Sequence, residues 1–261
     1  MTRLVKSLQW NIGAGRIRAQ GADPLAAASY NLDGLRKVIE LLRAEDPDII
    51  TLQEAHAGDG YNQVEMIAAM LGYAYSVSDF FSESHIEAGQ RLGQGIISKF
   101  PISEHSSQVF INPRFEVIWK DGSSVTSHDK GITSCLINID GASVATKTLH
   151  LVPFEPFKVD PGSDAAKPLF ADVQQKLLDS HPQLLVQGDL NLGRLNERAD
   201  VLMPDLSNMG LEELASVLPT MPNGQRPDRI LYKGIEILGS RVLNTVLTDH
   251  YPVVVTFETM A

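Results

Sequence analysis

The stretch QLLVQGDLN, residues 183–191, joins a short apolar run to two polar side chains, Asp189 and Asn191. The run predicts a strand, because apolar residues follow one another over a length that is brief for a helix. Strand ends in a layered sheet protein converge on an edge, where binding clefts form. We therefore expect Asp189 and Asn191 to lie at the edge of a sheet and to face a cleft.

Polar residues recur at the ends of other strand-like runs. LQW, ITLQ and TKTL each lead into one polar residue, DRILY begins with an acid, and an Asp-His pair precedes the closing run PVVVTF. A single acid at a strand end is more often a solvated turn residue than a ligand, so the argument depends on the set as a whole. The set consists of Asn11, Glu54 (at the end of its strand), His150, Asp189, Asn191, Asp228, Asp249 and His250.

Helices and hairpins are expected between these runs. Apolar residues at helical spacing predict a helix that includes Leu32, is capped by Asn31 and ends at Asp46. Strands in both halves of the chain, with helices between them, favour packed sheets with helices outside. Further predicted elements are helices near residues 62–71 and 170–178, strands at 93–98, 115–119, 131–139 and 142–151, hairpin turns at Asp121-Gly122 and Asp140-Gly141, and a long loop from Val152 to Lys167.

The composition is that of an ordinary globular protein. Of its 261 residues, 43% are apolar and 21% are charged, which supplies a large core. The length permits one domain or two, and the spread of the polar set favours a single domain over residues 1–261. Cys135 is the only cysteine, so an internal disulfide is excluded and a buried, small apolar role is expected.

Charge and hydropathy narrow the expected binding partners and cellular location. The formal net charge of -10 argues against tight nonspecific binding of nucleic acid through a basic face. A bound cation could still supply positive charge where a phosphate sits. No apolar stretch approaches the roughly 18 residues of a membrane span, and the start MTRLVKSLQWN lacks a signal-peptide core. We therefore expect a cytoplasmic protein, with no obligate protein partner evident.

The polar set suits metal-assisted cleavage of a phosphate ester. Magnesium prefers oxygen ligands, and a bound metal polarises a phosphoryl oxygen while Asp189 or a histidine activates water. His150 and His250, when protonated, could donate hydrogen bonds to the phosphoryl oxygens. Further candidates for phosphate contacts are Arg91, Lys99, Lys130 and Arg226, although scattered basic residues more often lie on the solvated surface; His56, His85, His105, His128 and His181 are expected to be structural or surface residues.

The motifs QWNIGAG, PDIITLQE, GQGIISKFPI, TLHL, VQGDLN, PDRIL and TDHYPV occur in the order seen in the endonuclease/exonuclease/phosphatase (DNase I-like) superfamily. The chain resembles this superfamily over nearly its whole length. The resemblance implies a four-layer α/β/β/α sandwich of two mainly antiparallel sheets flanked by helices. It also implies a phosphoric ester hydrolase that depends on magnesium or manganese, with nucleic acid slightly favoured as the phosphoester substrate.

The resemblance implies the metal ligands. Glu54 would be the main ligand of the cation, with Asn11 beside it. Asp249 would help to hold the metal shell. Thr248 stands where the motif usually has serine, and threonine keeps the hydroxyl group.

The resemblance also implies the catalytic roles. Asp189 would position or activate the water, and Asn191 would bind the phosphate or the transition-state oxygen. His250 would contact the phosphate or act as the general base, with Asp228 fixing its ring. His150 matches a histidine that DNase I-like and sphingomyelinase-like members carry, and it would contact the phosphate.

Two alternatives remain open from the sequence. The loop that follows His150 resembles no substrate-specific subgroup, so a phospholipid, inositol phosphate or other small phosphodiester competes with nucleic acid as the substrate. A noncatalytic binding module that retains the fold is the alternative from a different class. Every motif position holds a chemically competent residue, which favours the enzyme.

Overall fold

Runs of alternating and continuous apolar residues form the strands of two large sheets. The structure is a computed structural model that describes residues 3–118, 122–193, 199–215 and 218–259. The strands are β1 (Leu4–Asn11), β2 (Arg16–Arg18), β3 (Tyr30–Asp33), β4 (Ile49–Gly58), β5 (Tyr61–Asn62), β6 (Tyr75–Glu83), β7 (Arg91–Ser98), β8 (Ile102–Val109), β9 (Glu116–Ile118), β10 (Ser124–Thr126), β11 (Gly131–Ile139), β12 (Ala142–His150), β13 (Leu184–Asp189), β14 (Glu212–Glu213), β15 (Asp228–Lys233), β16 (Glu236–Val242) and β17 (Val253–Glu258).

The helices lie on the outer faces of the sheets. The second helix begins where the Asn62 side chain accepts the backbone N–H of Val64 at 3.0 Å and ends at Gly72, which adopts a left-handed conformation. The prediction for this helix is confirmed. The helices are α1 (Leu35–Glu45), α2 (Gln63–Leu71), α3 (Lys167–Leu177) and α4 (Ala199–Leu202), with 3-10 turns at Gly13–Gly15, Ala27–Ser29 and Pro204–Leu206.

Each large sheet has one parallel pair among antiparallel neighbours. In the described part of the chain the first sheet has the order β16-β17-β1-β4-β7-β6, with β5 paired to β4, and the second has the order β14-β15-β13-β12-β11-β8. The parallel pairs are β1 with β4 and β12 with β13. A parallel pair needs a crossover connection, and α1 and α3 occupy the two crossovers. Members of the polar set end three of these four strands: Asn11 ends β1, His150 ends β12 and Asp189 ends β13.

Three apolar cores separate four layers, which confirms the predicted α/β/β/α sandwich. One core joins α1 and α2 to the first sheet and includes Trp10 and Ile39. The middle core lies between the sheets and includes Ile96 and the buried Cys135. The third core packs α3 and the following loops, including Phe170, on the second sheet. The assignment of residues 1–261 to one domain stays a prediction.

The predicted start of the first helix is wrong. Asn31 and Leu32 lie in β3, which pairs antiparallel with β2, and Leu32 is 47% exposed. The helix begins at Leu35 with Gly34 at its N-cap position. Leu32 fits the helical spacing but pairs across a ribbon, because the chain after Gly15 turns back on itself before the helix begins.

The hairpin prediction for Asp140-Gly141 is confirmed. Both residues have positive φ, 52° and 95°, which a two-residue turn between antiparallel strands requires, and they join β11 to β12. The other predicted turn includes Asp121, which lies outside the described residues, as does Trp119 of the strand predicted at 115–119. Among the described residues, no helix has the length and apolar character needed to cross a bilayer.

Candidate active site

Three members of the polar set stand side by side at the end of the second sheet. His150 on β12 pairs in register with Asp189 on β13, and Asp189 pairs with Asp228 on β15. A Cβ at Gly188 would lie only 2.1 Å from the carbonyl oxygen of Leu149, so the close approach of β12 to β13 needs a glycine there. Cross-strand partners point to the same face of a sheet, which brings the three side chains together.

The first sheet supplies the opposite side of the site. Asn11 ends β1, and Asp249 and His250 lie shortly before β17 (Val253–Glu258), which is antiparallel to β1. The sequence predicted Glu54 at the end of β4, but this prediction is wrong because the strand continues to Gly58. Glu54 lies instead at a bulge in the pairing with β7 and has a φ of 53°. A bulge re-aims one side chain, and backbone strain of this kind is typical of functional sites.

Asp189 is the point on which the polar groups converge. Its Oδ2 accepts a hydrogen bond from Asn11 Nδ2 at 3.0 Å and lies 3.4 Å from His150 Nε2 and 3.7 Å from His250 Nε2. Burial raises the pKa of Asp189 to about 6, against the lowering effect of the His250 charge. The carboxylate can therefore exchange a proton near neutral pH.

His250 is held by an acid at one ring nitrogen. Its Nδ1 lies 2.9 Å from Asp228 Oδ2, and Gln9 Nε2 donates to the other Asp228 oxygen at 2.7 Å. Burial alone would lower the pKa of His250, but the charges of Asp228 and Asp189 outweigh it and keep that pKa well above its ordinary value. Thr248 Oγ1 donates to the backbone oxygen of His250 at 2.8 Å and accepts from Trp10 Nε1 at 2.8 Å, which fixes the segment.

His150 faces a buried lysine that sequence reasoning grouped with scattered basic residues. Lys130 is 7% exposed, and its Nζ lies 3.0 Å from His150 Nδ1. Burial and the charges of Lys130 and His250 hold the pKa of His150 well below its ordinary value, so the ring stays neutral. With Nδ1 accepting from Lys130, we assign the ring proton to Nε2, which faces Asp189. His150 can donate a hydrogen bond without the protonation expected from the sequence.

Asn191 lies beside the same acid at the mouth of the site. Its backbone N–H donates to Asp189 Oδ1 at 2.8 Å, and its side-chain Nδ2 donates to the carbonyl oxygen of Leu151 at 2.8 Å. The residue has a φ of 53°, a left-handed conformation that asparagine tolerates better than most residues. Asn191 thus supports Asp189 from one side and also lines the adjoining cleft.

The residues expected to hold a cation fit a hard divalent ion. Glu54 is only 17% exposed, and His150 Nε2 lies 3.9 Å from its Oε1, too far for a hydrogen bond. Burial raises the pKa of Asp249, and the charge of Glu54 raises it further. Two neighbouring, poorly solvated carboxylates repel each other, and a cation removes that repulsion. With the amide oxygen of Asn11 they form an all-oxygen donor set of the kind that magnesium and manganese prefer.

A second group of possible ligands is better explained by hydrogen bonding. Asp189, Asp228 and His250 each bring one ligand atom within 4.8 Å of the others. Both Asp228 oxygens already accept hydrogen bonds, from Gln9 and from His250. A ligand role for Asp228 would compete with these hydrogen bonds, so we assign Asp228 to positioning His250, with Asp189 Oδ2 3.7 Å from His250 Nε2.

The other basic candidates for phosphate contacts lie elsewhere. Arg226 is buried and donates to Glu213 at 3.0 Å. Lys99 pairs with Asp46 and Asp48, and exposed Arg91 donates to a backbone oxygen of β6. The signal that would have separated Lys130 from these residues is its position directly before a long buried strand. The remaining histidines have other contacts: His56 with Ser84, His105 with Asp79, His181 with Ser143, and His85 stacked on His128.

A cleft of about 840 Å³ opens beside His250, Asp249 and Asn191. The loop that follows β12, which the sequence predicted between Val152 and Lys167, forms one of its walls. Residues 24–30 and 221–227 form the other walls. A cleft of this size that adjoins perturbed acids and histidines has the character of a substrate site.

Comparison with known proteins identifies the family. The model of the endonuclease/exonuclease/phosphatase family matches residues 8–250, and the chain belongs to this family. It is therefore a phosphoric ester hydrolase by class, and such enzymes generally depend on a divalent metal. No curated protein matches the chain in sequence.

Solved structures with low sequence identity share the fold. An endonuclease/exonuclease/phosphatase from Beutenbergia cavernae is 18% identical, with a TM-score of 0.73 over 98% of this chain and 72% of that one. TDP2 of D. rerio, in complex with a single-strand DNA product, is 17% identical, with a TM-score of 0.58 over 98% and 99%. A mannosyl-6-phosphatase from Bacteroides thetaiotaomicron is 14% identical, with a TM-score of 0.58 over 97% and 99%.

Proposed function

We propose that this protein hydrolyses phosphate esters with a magnesium or manganese ion, by direct attack of water and without a covalent intermediate. The observation that carries the proposal is the convergence on Asp189 Oδ2 of Asn11 at 3.0 Å, His150 at 3.4 Å and His250 at 3.7 Å. A buried carboxylate among hydrogen-bond donors, beside a group of oxygen ligands, is what water activation at a phosphorus centre needs.

Glu54, Asp249 and the amide oxygen of Asn11 would hold the cation. When bound, a divalent cation stabilises negative charge on a phosphoryl oxygen and on the leaving oxygen. The bulge in β4 supports this role for Glu54, since it turns the carboxylate away from the regular pleat. Magnesium and manganese both accept such oxygen ligands, so the proposal includes either ion.

Asp189 would accept the proton of the attacking water. The O–H bond of water breaks as its oxygen forms a bond to phosphorus, and the proton passes to the carboxylate. His250 is the weaker candidate for this role because Asp228 Oδ2, 2.9 Å from Nδ1, favours a ring that already carries both protons. The Asp189 carboxylate can accept a proton directly, whereas a His250 ring that carries both protons would first have to lose one.

His250, His150 and Asn191 would bind the phosphoryl group. The Nε2 of His250 can donate to a phosphoryl oxygen and pass its proton to the leaving oxygen as the bond to phosphorus breaks. His150 can donate from Nε2 while Lys130 occupies its Nδ1. Preorganised donors around developing negative charge are usually the largest contribution to this kind of catalysis.

The substrate preference inferred from the sequence, slightly in favour of nucleic acid, stays a prediction. The fold serves both kinds of substrate: TDP2 of D. rerio is known in complex with a DNA product, and the Bacteroides thetaiotaomicron protein is a mannosyl-6-phosphatase. The cytoplasmic location expected from the sequence also stays a prediction.

The test is a panel of phosphomonoesters and phosphodiesters assayed with Mg²⁺, with Mn²⁺ and with a chelator. We expect hydrolysis that the chelator abolishes and that Glu54→Gln lowers by about 10²-fold or more, as when a group that stabilises transition-state charge is lost. Glu65→Gln, at an exposed position of α2, is the matched control. If the purified wild-type protein hydrolyses no member of the panel with either metal, the proposal is wrong.

A further inference from the structure

Among the described residues, the walls of the cleft beside the site are rich in proline and poor in basic charge. Apart from Asp249 and His250, the charged residues that line it within the described ranges are two acids, Glu155 and Asp160, and one base, Lys158. Proteins that bind a nucleic-acid backbone do so mainly through several lysine and arginine contacts to phosphates. These walls therefore offer little to a polyanion.

Each of the three walls of the cleft carries an apolar side chain. Leu25 on its wall is 64% exposed, a large apolar side chain left open to solvent. Val159 and Met221 lie on the other two walls. The Tyr30 hydroxyl donates to the carbonyl oxygen of Pro24 at 2.9 Å, which fixes the aromatic ring at the rim. Apolar side chains set among polar groups are typical of sites for compact organic ligands, because the apolar surface contacts the organic group and the polar groups orient it.

The walls are held in position before any ligand binds. Gln225 Nε2 donates to Glu155 Oε2 at 2.9 Å, and Asn223 Nδ2 donates to Gln225 Oε1 at 3.0 Å, which ties the loop after β12 to residues 221–227. Proline has a restricted φ, so walls that contain it lose little conformational freedom on binding. The prolines that line the cleft are Pro24, Pro153, Pro156, Pro161, Pro222 and Pro227.

From these observations we infer that the substrate is a small phosphate ester whose organic group is uncharged and largely apolar, such as an aryl or alkyl ester, and that this group lies against Leu25 and Met221. The inference rests on the proposed function and gives its substrate class. The cleft volume of about 840 Å³ lies within the range of pockets that enclose a drug-sized ligand. A long polynucleotide would meet the acidic and apolar walls instead of a basic groove.

The first test compares substrates. With Mn²⁺, we expect the wild-type protein to hydrolyse bis(p-nitrophenyl) phosphate with a larger kcat/KM than a single-stranded oligonucleotide, by about tenfold or more, which is the factor that 1.4 kcal/mol of binding provides. A short-chain phosphatidic acid, whose organic group is an uncharged diacylglycerol, assayed below and above its micelle concentration, distinguishes a soluble ester from a lipid aggregate as the source of the apolar group. Hydrolysis of either form, ahead of the oligonucleotide, supports the inference.

The second test changes the apolar wall. Leu25→Ser should raise KM for the aryl ester severalfold with little change in kcat, because an exposed leucine supplies contact area and does not reach the reacting atoms. Leu238→Ser removes a leucine of similar exposure, 51%, on β16 outside the cleft, and should leave both constants unchanged. Since both leucines are exposed, neither substitution is expected to prevent folding.

A binding measurement provides a readout that does not need turnover. In the presence of a chelator, 1-naphthyl phosphate should bind more tightly than inorganic phosphate in a calorimetric titration, and Leu25→Ser should remove most of that difference. Equal affinities in the wild-type protein would overturn the inference.

The outcomes separate this inference from the proposed function. No hydrolysis of any ester would overturn both. Efficient hydrolysis of the oligonucleotide with weak hydrolysis of aryl esters would overturn only the substrate class. Arg194 and Arg198, which lie outside the described residues, give a further check on this point. Suppose that the wild-type protein hydrolyses the oligonucleotide faster than the aryl ester, and that the double variant Arg194→Ala, Arg198→Ala loses only the oligonucleotide activity. This result would show that a polyanion is the substrate.

Discussion

Asp228 and Arg229 are neighbours in β15, and both side chains are fully buried, yet they belong to two different clusters of charge. Consecutive residues of a strand point to opposite faces of the sheet. Asp228 therefore faces the site cluster around Asp189, whereas Arg229 faces a second cluster with Arg226 and Glu213. We call these the site cluster and the Glu213 cluster.

The two clusters differ in how their charges are arranged. Glu213 Oε1 accepts from Arg229 at 2.7 Å and from Arg226 at 3.0 Å, and its Oε2 accepts from the backbone N–H of Ala199 at 3.0 Å. Two guanidinium groups thus share one carboxylate, and burial and the Arg229 charge lower the pKa of Arg226. In the site cluster, burial raises the pKa of Asp189 and lowers that of Lys130. Buried charge and perturbed pKa values therefore do not by themselves identify a functional site; the site cluster is distinguished by the cleft that opens beside His250.

The largest expected effect comes from Asp189→Asn. The amide keeps the shape and cannot take a proton from water, so kcat should fall by about 10²- to 10⁴-fold. Stability should be unchanged or higher, because a carboxylate whose pKa rises to about 6 on folding is destabilising above that pH. Steady-state kinetics and thermal melting at pH 7.5 measure the two quantities. A variant with the wild-type kcat would show that Asp189 has no part in the chemistry.

Glu213→Gln should have the opposite pattern. Removal of the charge that faces two buried guanidinium groups should lower the free energy of unfolding by about 3 kcal/mol or more. The kcat of the folded protein should stay close to the wild-type value, since the Glu213 cluster lies on the other face of the sheet. Urea denaturation and kinetics test this pair of expectations.

Glu212→Gln is the matched control for that experiment. Glu212 is the exposed neighbour of Glu213 on β14, and its Oε2 accepts a hydrogen bond from the Tyr232 hydroxyl at 3.1 Å. Its substitution should change the unfolding free energy by less than about 0.5 kcal/mol. Equal effects at both positions would contradict the assignment of Glu213 to a buried structural cluster.

The substitution Lys130→Met is expected to have an intermediate effect on catalysis. The substitution removes the donor to His150 Nδ1 and leaves the ring free to adopt the other tautomer, so kcat should fall about tenfold, in the lower part of the range for a supporting hydrogen bond. Thermal stability should not fall, because methionine of similar length replaces a buried lysine. A large loss of stability with an unchanged kcat would make Lys130 a structural residue.

The smallest expected effect is on thermal stability when metal is added. At about ten times its dissociation constant, Mn²⁺ should stabilise the wild-type protein by roughly 1.4 kcal/mol, or a few degrees in melting temperature. Glu213→Gln should retain this shift, and Glu54→Gln should lose most of it. A shift that survives in Glu54→Gln would mean that the cation binds elsewhere.

Much of the site could be predicted from the sequence because strand ends carry a local signal. The apolar runs before Asn11, His150 and Asp189 were enough to predict strands that end at polar residues. Glu54 was predicted at a strand end and lies at a bulge, since the pairing of β4 with β7 beyond it has no local signature. The predicted N-cap at Asn31 is wrong for a similar reason, because the pairing of β2 with β3 depends on residues across the turn.

The sequence by itself determined the alternation of strands and helices, the set of chemically competent residues and their order along the chain. Only the tertiary structure decided that Lys130 contacts His150, that Arg226 pairs with Glu213, and which histidine carries a charge. Apolar periodicity acts over a few residues, so it can be read locally. Burial and pairing join residues far apart, such as Gln9 and Asp228 at a separation of 219 residues, and they exist only once the two sheets have packed.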